Sequence, residues 1–115
     1  MQDRVGVLPF QVFCGEALIG RIFPDRIDHS GCTVIGSFVP TAEYAPESHA
    51  ANINGESQPL SSRSSLQIHG PNGESVAALD VCIYDFRNSL GALTRDGYII
   101  GIPPEVFDLY VRTEN

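Results

Sequence analysis

The chain contains no lysine. All seven of its basic side chains are arginines, set against fourteen aspartates and glutamates in 115 residues. The absence of lysine excludes Schiff-base chemistry, a P-loop lysine and any catalytic lysine. The net charge of −7 argues against direct binding to nucleic acid, itself a polyanion, and favours a basic protein partner steered by a negative field. The alternative is that mild acidity serves solubility alone.

Cysteine is scarce as well. Cys14, Cys32 and Cys82 are odd in number and widely spaced, and no C-x-x-C pair occurs. This pattern predicts neither a disulfide framework nor a zinc site, but reduced, buried thiols. The first fifteen residues carry one arginine before an apolar stretch that glycine and proline interrupt, which is typical neither of a signal peptide nor of a membrane span. We therefore expect a cytoplasmic protein with no membrane association, no cofactor and no metal.

Runs rich in valine, isoleucine and phenylalanine predict strands. Residues 4–13 and 17–23 are expected to form a hairpin around Gly15, which lies in a tight turn. Residues 32–39 are apolar on both faces and predict a central strand. Gly36 inside that strand indicates a bulge or a close backbone approach.

Two short helices are predicted. One would begin at Thr41 as a possible N-cap and be limited to one or two turns by Pro46. The other covers residues 105–112, with Val106, Phe107 and Tyr110 on its apolar face and a proline near its first position.

Turn-rich segments are predicted to connect these elements. Residues 24–31 and 87–97 are expected to be connections, and residues 53–65 an exposed, serine-rich loop. A second hairpin is expected around a turn at residues 70–73. The sum is a β-rich α+β fold: an antiparallel sheet of five to six strands with one or two short helices, in a single domain over residues 1–115.

The stretch "DHSGC" places an acid, an imidazole, a hydroxyl and a thiol in five consecutive positions. Nucleophile and base are usually brought together by folding rather than by sequence, and no G-x-S-x-G elbow is present. We therefore interpret the stretch as a turn in which Asp28 accepts backbone N–H groups, Gly31 supplies positive φ and His29 faces solvent. The alternative is a small enzyme that uses Cys32 or Cys14 with a spatially adjacent histidine.

The remaining titratable residues give no catalytic constellation. His49 and His69 are expected at the surface, because neither has a companion at metal-ligand spacing. Asp80 and Asp85 are five apart on one strand and would project to opposite faces, so they cannot form a carboxylate pair. The one that faces the interior needs a partner, for which Arg87 and Arg21 are candidates.

The stretch "GEALIGRIFPDRIDHSGCTVIGSFVPTAEY" resembles a pattern in a group of small, uncharacterised bacterial proteins. In that pattern an Ile-Gly pair precedes an Asp-led turn, and a strand ending in Gly-x-Phe-x-Pro is followed by a tyrosine. The end of the chain, "GIPPEVFDLY" with an Ile-x-Asp element before it, is similar too. The turn of the group carries prolines where this chain has histidine and serine. The matching positions are Gly15, Ile19, Gly20, Asp28, Gly36, Phe38, Pro40, Tyr44, Ile83 and Asp85.

The resemblance, the small size and the acidity together predict a non-catalytic, intracellular protein-binding inhibitor, of the kind that neutralises a basic bacterial toxin. Alternatives are a phage- or plasmid-borne inhibitor of a defence nuclease, and a homodimer formed through exposed strand edges. The contact surface is expected to combine acidic residues, which steer the approach of the partner, with aromatic residues, which hold the bound partner. The predicted partner-binding residues are Asp25, Asp28, Glu43, Tyr44, Glu47, Glu56 and Arg63, and the predicted architectural residues are Gly20, Gly36, Phe38 and Pro40.

Overall fold

A computed structural model describes residues 3–5, 9–59, 65–87 and 93–113. This part of the chain contains eleven strands and two short helices. In chain order they are β1 (Asp3–Val5), β2 (Phe10–Cys14), β3 (Ala17–Asp28), β4 (Thr33–Pro40), α1 (Pro46–His49), β5 (Asn52–Ile53), β6 (Glu56–Ser57), β7 (Gln67–His69), β8 (Ser75–Val76), β9 (Asp80–Arg87), β10 (Leu93–Ile100), α2 (Pro104–Tyr110) and β11 (Val111–Thr113).

Nine of the described strands form one open sheet. Its order is β6-β5-β9-β10-β4-β3-β2-β7-β8, while β1 and β11 form a separate two-stranded ribbon. Every neighbouring pair in the large sheet is antiparallel except β5 and β9, which run parallel. Each edge of the large sheet is a strand of only two residues. The predicted β-rich fold with two short helices is confirmed, but the predicted count of five to six strands was too low.

The core lies on one face of the large sheet. Alternate residues of β2, β3, β4, β9 and β10 point to it, as the period of two requires. Phe107 of α2 and Ala50, which follows α1, join the same cluster. Each fully buried aliphatic or aromatic side chain stabilises the fold by roughly 1.5–3 kcal/mol. The largest fully buried side chains are Phe10, Ile19, Ile22, Ile68, Ile83, Ile99, Ile102, Val12 and Val34.

Gly36 marks a close backbone approach, as predicted. The pairing of β3 with β4 shifts register between Pro24 and Arg26, which places a bulge directly across from Gly36. A Cβ atom at Gly36 would overlap the carbonyl oxygen of Phe23 and lie 2.8 Å from Cα of Pro24. The bulge explains why β3 continues through Pro24, so the predicted connection over residues 24–31 shrinks to the turn between Asp28 and Thr33.

The other architectural residues of the sequence pattern meet at the far end of the same hairpin. Gly20 is paired with Pro40. A Cβ atom at Gly20 would lie 2.5 Å from the ring of Phe38 and 2.7 Å from the carbonyl oxygen of Val39. Glycine at this position therefore makes room for the buried Phe38 ring.

The central strand is confirmed and the first hairpin is confirmed in part: of the predicted arm over residues 4–13, only the part in β2 (Phe10–Cys14) pairs with β3, whereas Asp3–Val5 is the separate strand β1, which pairs with β11. β2 and β3 pair around a turn with Gly15 at φ 62°, and β4 lies between β3 and β10. The expected connection over residues 87–97 was wrong in its second half, because Leu93–Ile100 is a continuous strand.

The segment after β4 differs from the prediction. Thr41 is not a helix N-cap, because its hydroxyl donates to the carbonyl of Leu18 on β3 (2.6 Å) and α1 begins five residues later. Helix α1 begins at Pro46 with Ala45 as its N-cap residue. Pro46 therefore starts the helix instead of limiting it, since proline is tolerated at the first helical position.

The exposed loop expected over residues 53–65 begins instead as a small hairpin. β5 and β6 pair around Asn54 and Gly55, both with positive φ (51° and 89°). The Asn-Gly dipeptide is a typical two-residue hairpin turn, so the sequence carried the signal. Asn54 Oδ1 accepts the N–H of Arg87 (2.6 Å), which fastens this hairpin to β9. Residues 60–64 lie outside the described part of the chain.

The C-terminal predictions hold in part. The second hairpin does turn at residues 70–73, but its second arm is only Ser75–Val76, and β9 pairs with β10 and β5 at the other side of the sheet. Helix α2 begins at Pro104, as its proline signal predicts. It ends at Tyr110 instead of reaching residue 112, because Val111–Thr113 forms β11.

Candidate protein-binding face

The "DHSGC" stretch folds as a turn. One carboxylate oxygen of Asp28 accepts both the N–H (3.1 Å) and the hydroxyl (2.7 Å) of Ser30. The Ser30 hydroxyl is the main cause that lowers the pKa of Asp28. The positive φ is at Cys32 (47°) and not at Gly31, as was expected. His29 is exposed, as predicted, and its ring meets Phe107 edge-on at 5.8 Å.

All three thiols are free and half-buried rather than fully buried. The Cys32 sulfur lies 4.0 Å from the backbone carbonyl of His29, and the Cys82 sulfur 3.4 Å from a carboxylate oxygen of Asp80. Within the described residues, no group of three or more histidine, cysteine, aspartate or glutamate side chains is arranged to hold a metal ion.

A buried polar network lies on the core face between β9, β10 and the segment before α1. Asp85 is 5% exposed, and one of its carboxylate oxygens accepts from Arg95 Nε (3.1 Å) and from the Tyr44 hydroxyl (2.7 Å). The Arg95 guanidinium carbon also lies 5.5 Å from the centre of the Tyr44 ring. The predicted partners Arg87 and Arg21 were wrong: the register places Arg95 directly opposite Asp85. Burial, followed by the hydrogen bond to Asp85, raises the pKa of Tyr44.

His49 extends this network and is buried, contrary to the surface position expected for it. Its Nδ1 accepts the N–H of Ala45 (3.0 Å), so the imidazole satisfies a backbone donor at the start of α1. Its ring stacks on Tyr44 with centroids 5.8 Å apart. Burial lowers the pKa of His49, and the nearby Glu47 carboxylate opposes that shift more weakly.

The fold is expected to lose stability in mild acid through His49. In the unfolded chain this histidine takes up a proton near pH 6.5, whereas in the folded chain it does so only at lower pH. The stabilisation that His49 gives to the fold is therefore complete above pH 6.5. It is lost as the pH falls through the pKa that His49 has in the folded chain. Urea unfolding midpoints between pH 7.5 and 5 should fall less steeply for His49→Asn, whose amide oxygen can accept the same N–H without titrating. Equal pH dependence in the two proteins would contradict this role.

The face of the large sheet opposite the core, called the outer face here, carries exposed apolar side chains. On β9, Tyr84 and Phe86 alternate with the buried Ile83 and Asp85. On β3 the exposed Phe23 follows the buried Ile22, and on β4 the exposed Val39 follows the buried Phe38. The exposed fractions are 44% for Tyr84, 51% for Phe86, 40% for Phe23 and 51% for Val39.

Strand register fixes how the outer face is arranged. Residues in register on neighbouring strands stand side by side on the same face. One row crosses four strands, with Phe23 opposite Ser37, Ser37 opposite Asp96 and Asp96 opposite Tyr84. At about 4.8 Å between strands, the row places the two aromatic side chains about 14 Å apart.

A second row lies beside the first, two residues away along β4, β10 and β9. In it Arg26 stands opposite Ile35, Ile35 opposite Tyr98 and Tyr98 opposite Cys82. The rings of Tyr84 and Tyr98 are in contact, with centroids 5.1 Å apart at an interplanar angle of 56°. The outer face is therefore one continuous surface of rings, aliphatic groups and a few charges.

The structure places five of the seven predicted partner-binding residues in two groups. Asp25 and Asp28 lie at the end of β3, whereas Glu43, Tyr44 and Glu47 follow the end of β4. The seven residue steps of β4 set these two ends about 23 Å apart. The acids of both groups are exposed. They border the sheet and form no single patch.

Three of those residues have other surroundings. Tyr44 is half-buried and its hydroxyl is bound to Asp85, so it packs within the molecule. Glu56 is exposed on the edge strand β6. Arg63 lies outside the described residues.

The sequence interpretation missed the aromatic residues of the outer face, although a signal was present. In "VCIYDF", residues 81–86, every second residue belongs to the core, so the alternate residues Tyr84 and Phe86 had to face outwards. Two aromatics at outward positions of one strand are typical of a contact surface.

Comparison of the chain with protein-family models, with curated proteins and with solved structures found no match. Among the described helices, none combines the length and apolar character that crossing a membrane requires.

Proposed function

We propose that the chain is a non-catalytic inhibitor that acts inside a bacterial cell by binding a basic protein toxin, and that the outer face is its docking surface. The observation that carries the proposal is the continuous outer face, on which Phe23, Val39, Tyr84 and Phe86 are each 40–51% exposed. Large contiguous apolar patches are uncommon on monomeric soluble proteins and mark surfaces that bind a partner.

The size of the patch suits a protein partner. A standard interface covers about 800 Å² on each side, with an apolar centre and a polar rim. The row from Phe23 to Tyr84 is about 14 Å long, and its two aromatic ends would supply apolar contacts on either side of the polar Ser37 and Asp96. The acids predicted from the sequence, among them Asp25 and Glu56, would belong to its rim and act mainly on the rate of encounter.

Charge favours a basic partner over a second copy of the chain. Two copies would each carry a net charge of −7 and repel one another as they approach. A basic toxin would instead be attracted. If the chain is instead a phage- or plasmid-borne inhibitor of a defence nuclease, the nuclease would bind the same surface. The gene neighbourhood distinguishes a toxin inhibitor from a nuclease inhibitor.

Binding through the outer face is tested by capture followed by substitution. The purified protein is expected to capture a basic protein from a lysate of the source organism. Phe86→Arg replaces an aromatic side chain of the docking surface with a positive charge that repels a basic partner, and should weaken that complex at least about 30-fold, as loss of an aromatic anchor does. The affinity is measured by titration of the purified partner in isothermal calorimetry.

Leu79→Arg is the matched control. Leu79 is 86% exposed but precedes β9 and lies outside the strands that form the outer face, whereas Phe86 lies on β9, so the same change of charge should alter affinity less than threefold. Hydrogen exchange should show protection in β4, β9 and β10 on binding. A partner that binds equally to both variants would contradict the proposed face, and a self-associating chain with no basic partner would contradict the function.

A further inference from the structure

Asp96 lies at the centre of the outer face, among aromatic rings. It stands opposite Tyr84 on β9 and opposite Ser37 on β4, and Tyr98 follows two residues later on the same side of its own strand. The rings of Tyr84 and Tyr98 touch each other at 5.1 Å between centroids. The carboxylate therefore stands in register beside a pair of tyrosine rings that contact each other.

The two acids of this strand pair differ in their partners. Asp85, on the core face, accepts from Arg95 and from Tyr44. Asp96, on the outer face and half-buried, makes no side-chain hydrogen bond or ion pair with any other described residue. A partly buried carboxylate that lacks a cation is stabilised when a binding partner supplies one.

The two arginines on the outer face of β3, Arg26 and Arg21, each lie two strands away from Asp96, and neither forms an ion pair with it. Arg26 lies two strands away from Tyr98 in the second row, and its Nε is 3.4 Å from a carboxylate oxygen of Asp25. The cation for Asp96 would therefore come from outside the described part of the molecule.

We infer that Asp96, Tyr84 and Tyr98 form a subsite for an arginine side chain of the bound partner. The inference rests on the proposed function and names the anchor that the outer face recognises. Arginine fits better than lysine because its planar guanidinium can stack on a tyrosine ring while it donates two parallel hydrogen bonds to a carboxylate. The net charge of −7 favours the approach of such a group.

The subsite can be tested without the partner, by titrating the ¹⁵N-labelled full chain with N-acetyl-L-argininamide and following amide shifts by NMR. Shifts should concentrate at residues 84, 96 and 98 and saturate in the millimolar range, about the affinity of one small anchor group. Asp96→Asn should weaken binding at least tenfold. The neutral analogue N-acetyl-citrullinamide should bind at least tenfold more weakly than the arginine probe.

Glu16→Gln is the matched control, because Glu16 is an exposed acid in the turn between β2 and β3 and the substitution changes the charge equally. It should leave the titration unchanged within twofold. Equal weakening by both variants, equal binding of the citrulline analogue, or shifts located away from these three residues would each overturn the subsite.

The experiment separates failure of the subsite from failure of the proposed function. If Phe86→Arg disrupts a captured complex while the arginine probe does not bind at Asp96, the docking face stands and the subsite is wrong. If the probe binds at Asp96 but no basic protein is captured, the subsite stands and the proposed function is wrong. Unchanged thermal midpoints of Asp96→Asn and Glu16→Gln would show that both variants are folded.

Discussion

Asp85→Ala is expected to lower the free energy of unfolding by about 3 kcal/mol, roughly 10 °C in Tm. The substitution leaves Arg95, whose side chain is 18% exposed, without its carboxylate partner and deprives the Tyr44 hydroxyl of its acceptor. An uncompensated charge in a mostly buried position is the dominant effect. The measurement is urea unfolding at pH 7.5, followed by intrinsic tyrosine fluorescence and by far-UV circular dichroism.

A double-mutant cycle with Arg95→Met shows whether the loss comes from the ion pair. Removing both partners should be less damaging than the sum of the single changes, by at least 1 kcal/mol. Asp96→Ala provides the matched control on the outer face of the adjacent strand, where a change within about 0.5 kcal/mol is expected. Additive effects, or a loss as large for Asp96→Ala, would argue against the network.

Gly36→Ala is expected to destabilise the fold by about 3 kcal/mol, as overpacking against rigid backbone does. The new methyl group would overlap the carbonyl oxygen of Phe23, and a backbone carbonyl cannot rotate away as a side chain can. Relief requires β3 and β4 to move apart at the bulge. Thermal unfolding by circular dichroism gives the size of the effect.

Gly31→Ala is the control for that substitution. Gly31 is not among the glycines with positive φ, and its nearest atom to an added Cβ would be the Thr33 hydroxyl oxygen at 3.2 Å, so less than about 1 kcal/mol should be lost. A similar loss at both glycines would contradict a clash specific to Gly36, because the restriction that alanine places on the unfolded chain stabilises the fold at either position.

The local part of the fold was predictable, and the long-range part was not. Turn chemistry at Gly15 and at residues 70–73 located two hairpins, because glycine and asparagine turns have local causes. Pro24 suggested the end of a strand, whereas the bulge opposite Gly36 lets β3 continue through it. That bulge depends on a neighbouring strand, which local sequence does not encode.

The buried network shows the same limit at the candidate site. A carboxylate facing the interior was predicted to need an arginine, and Asp85 has one. The choice of Arg95 depends on the register of β9 against β10, which no local pattern specifies. His49 was predicted to lie at the surface because the sequence offers it no companion for a metal site. In the structure its ring instead accepts a backbone N–H at the start of its own helix.

The two-residue strands β6 and β8 at the margins of the large sheet limit how the molecule can polymerise. A fibril grows when one chain templates hydrogen bonding on the exposed backbone of the next, and a margin two residues long offers very few such bonds. These short margins therefore disfavour fibril growth templated at β6 and β8, although the outer face exposes aromatic side chains.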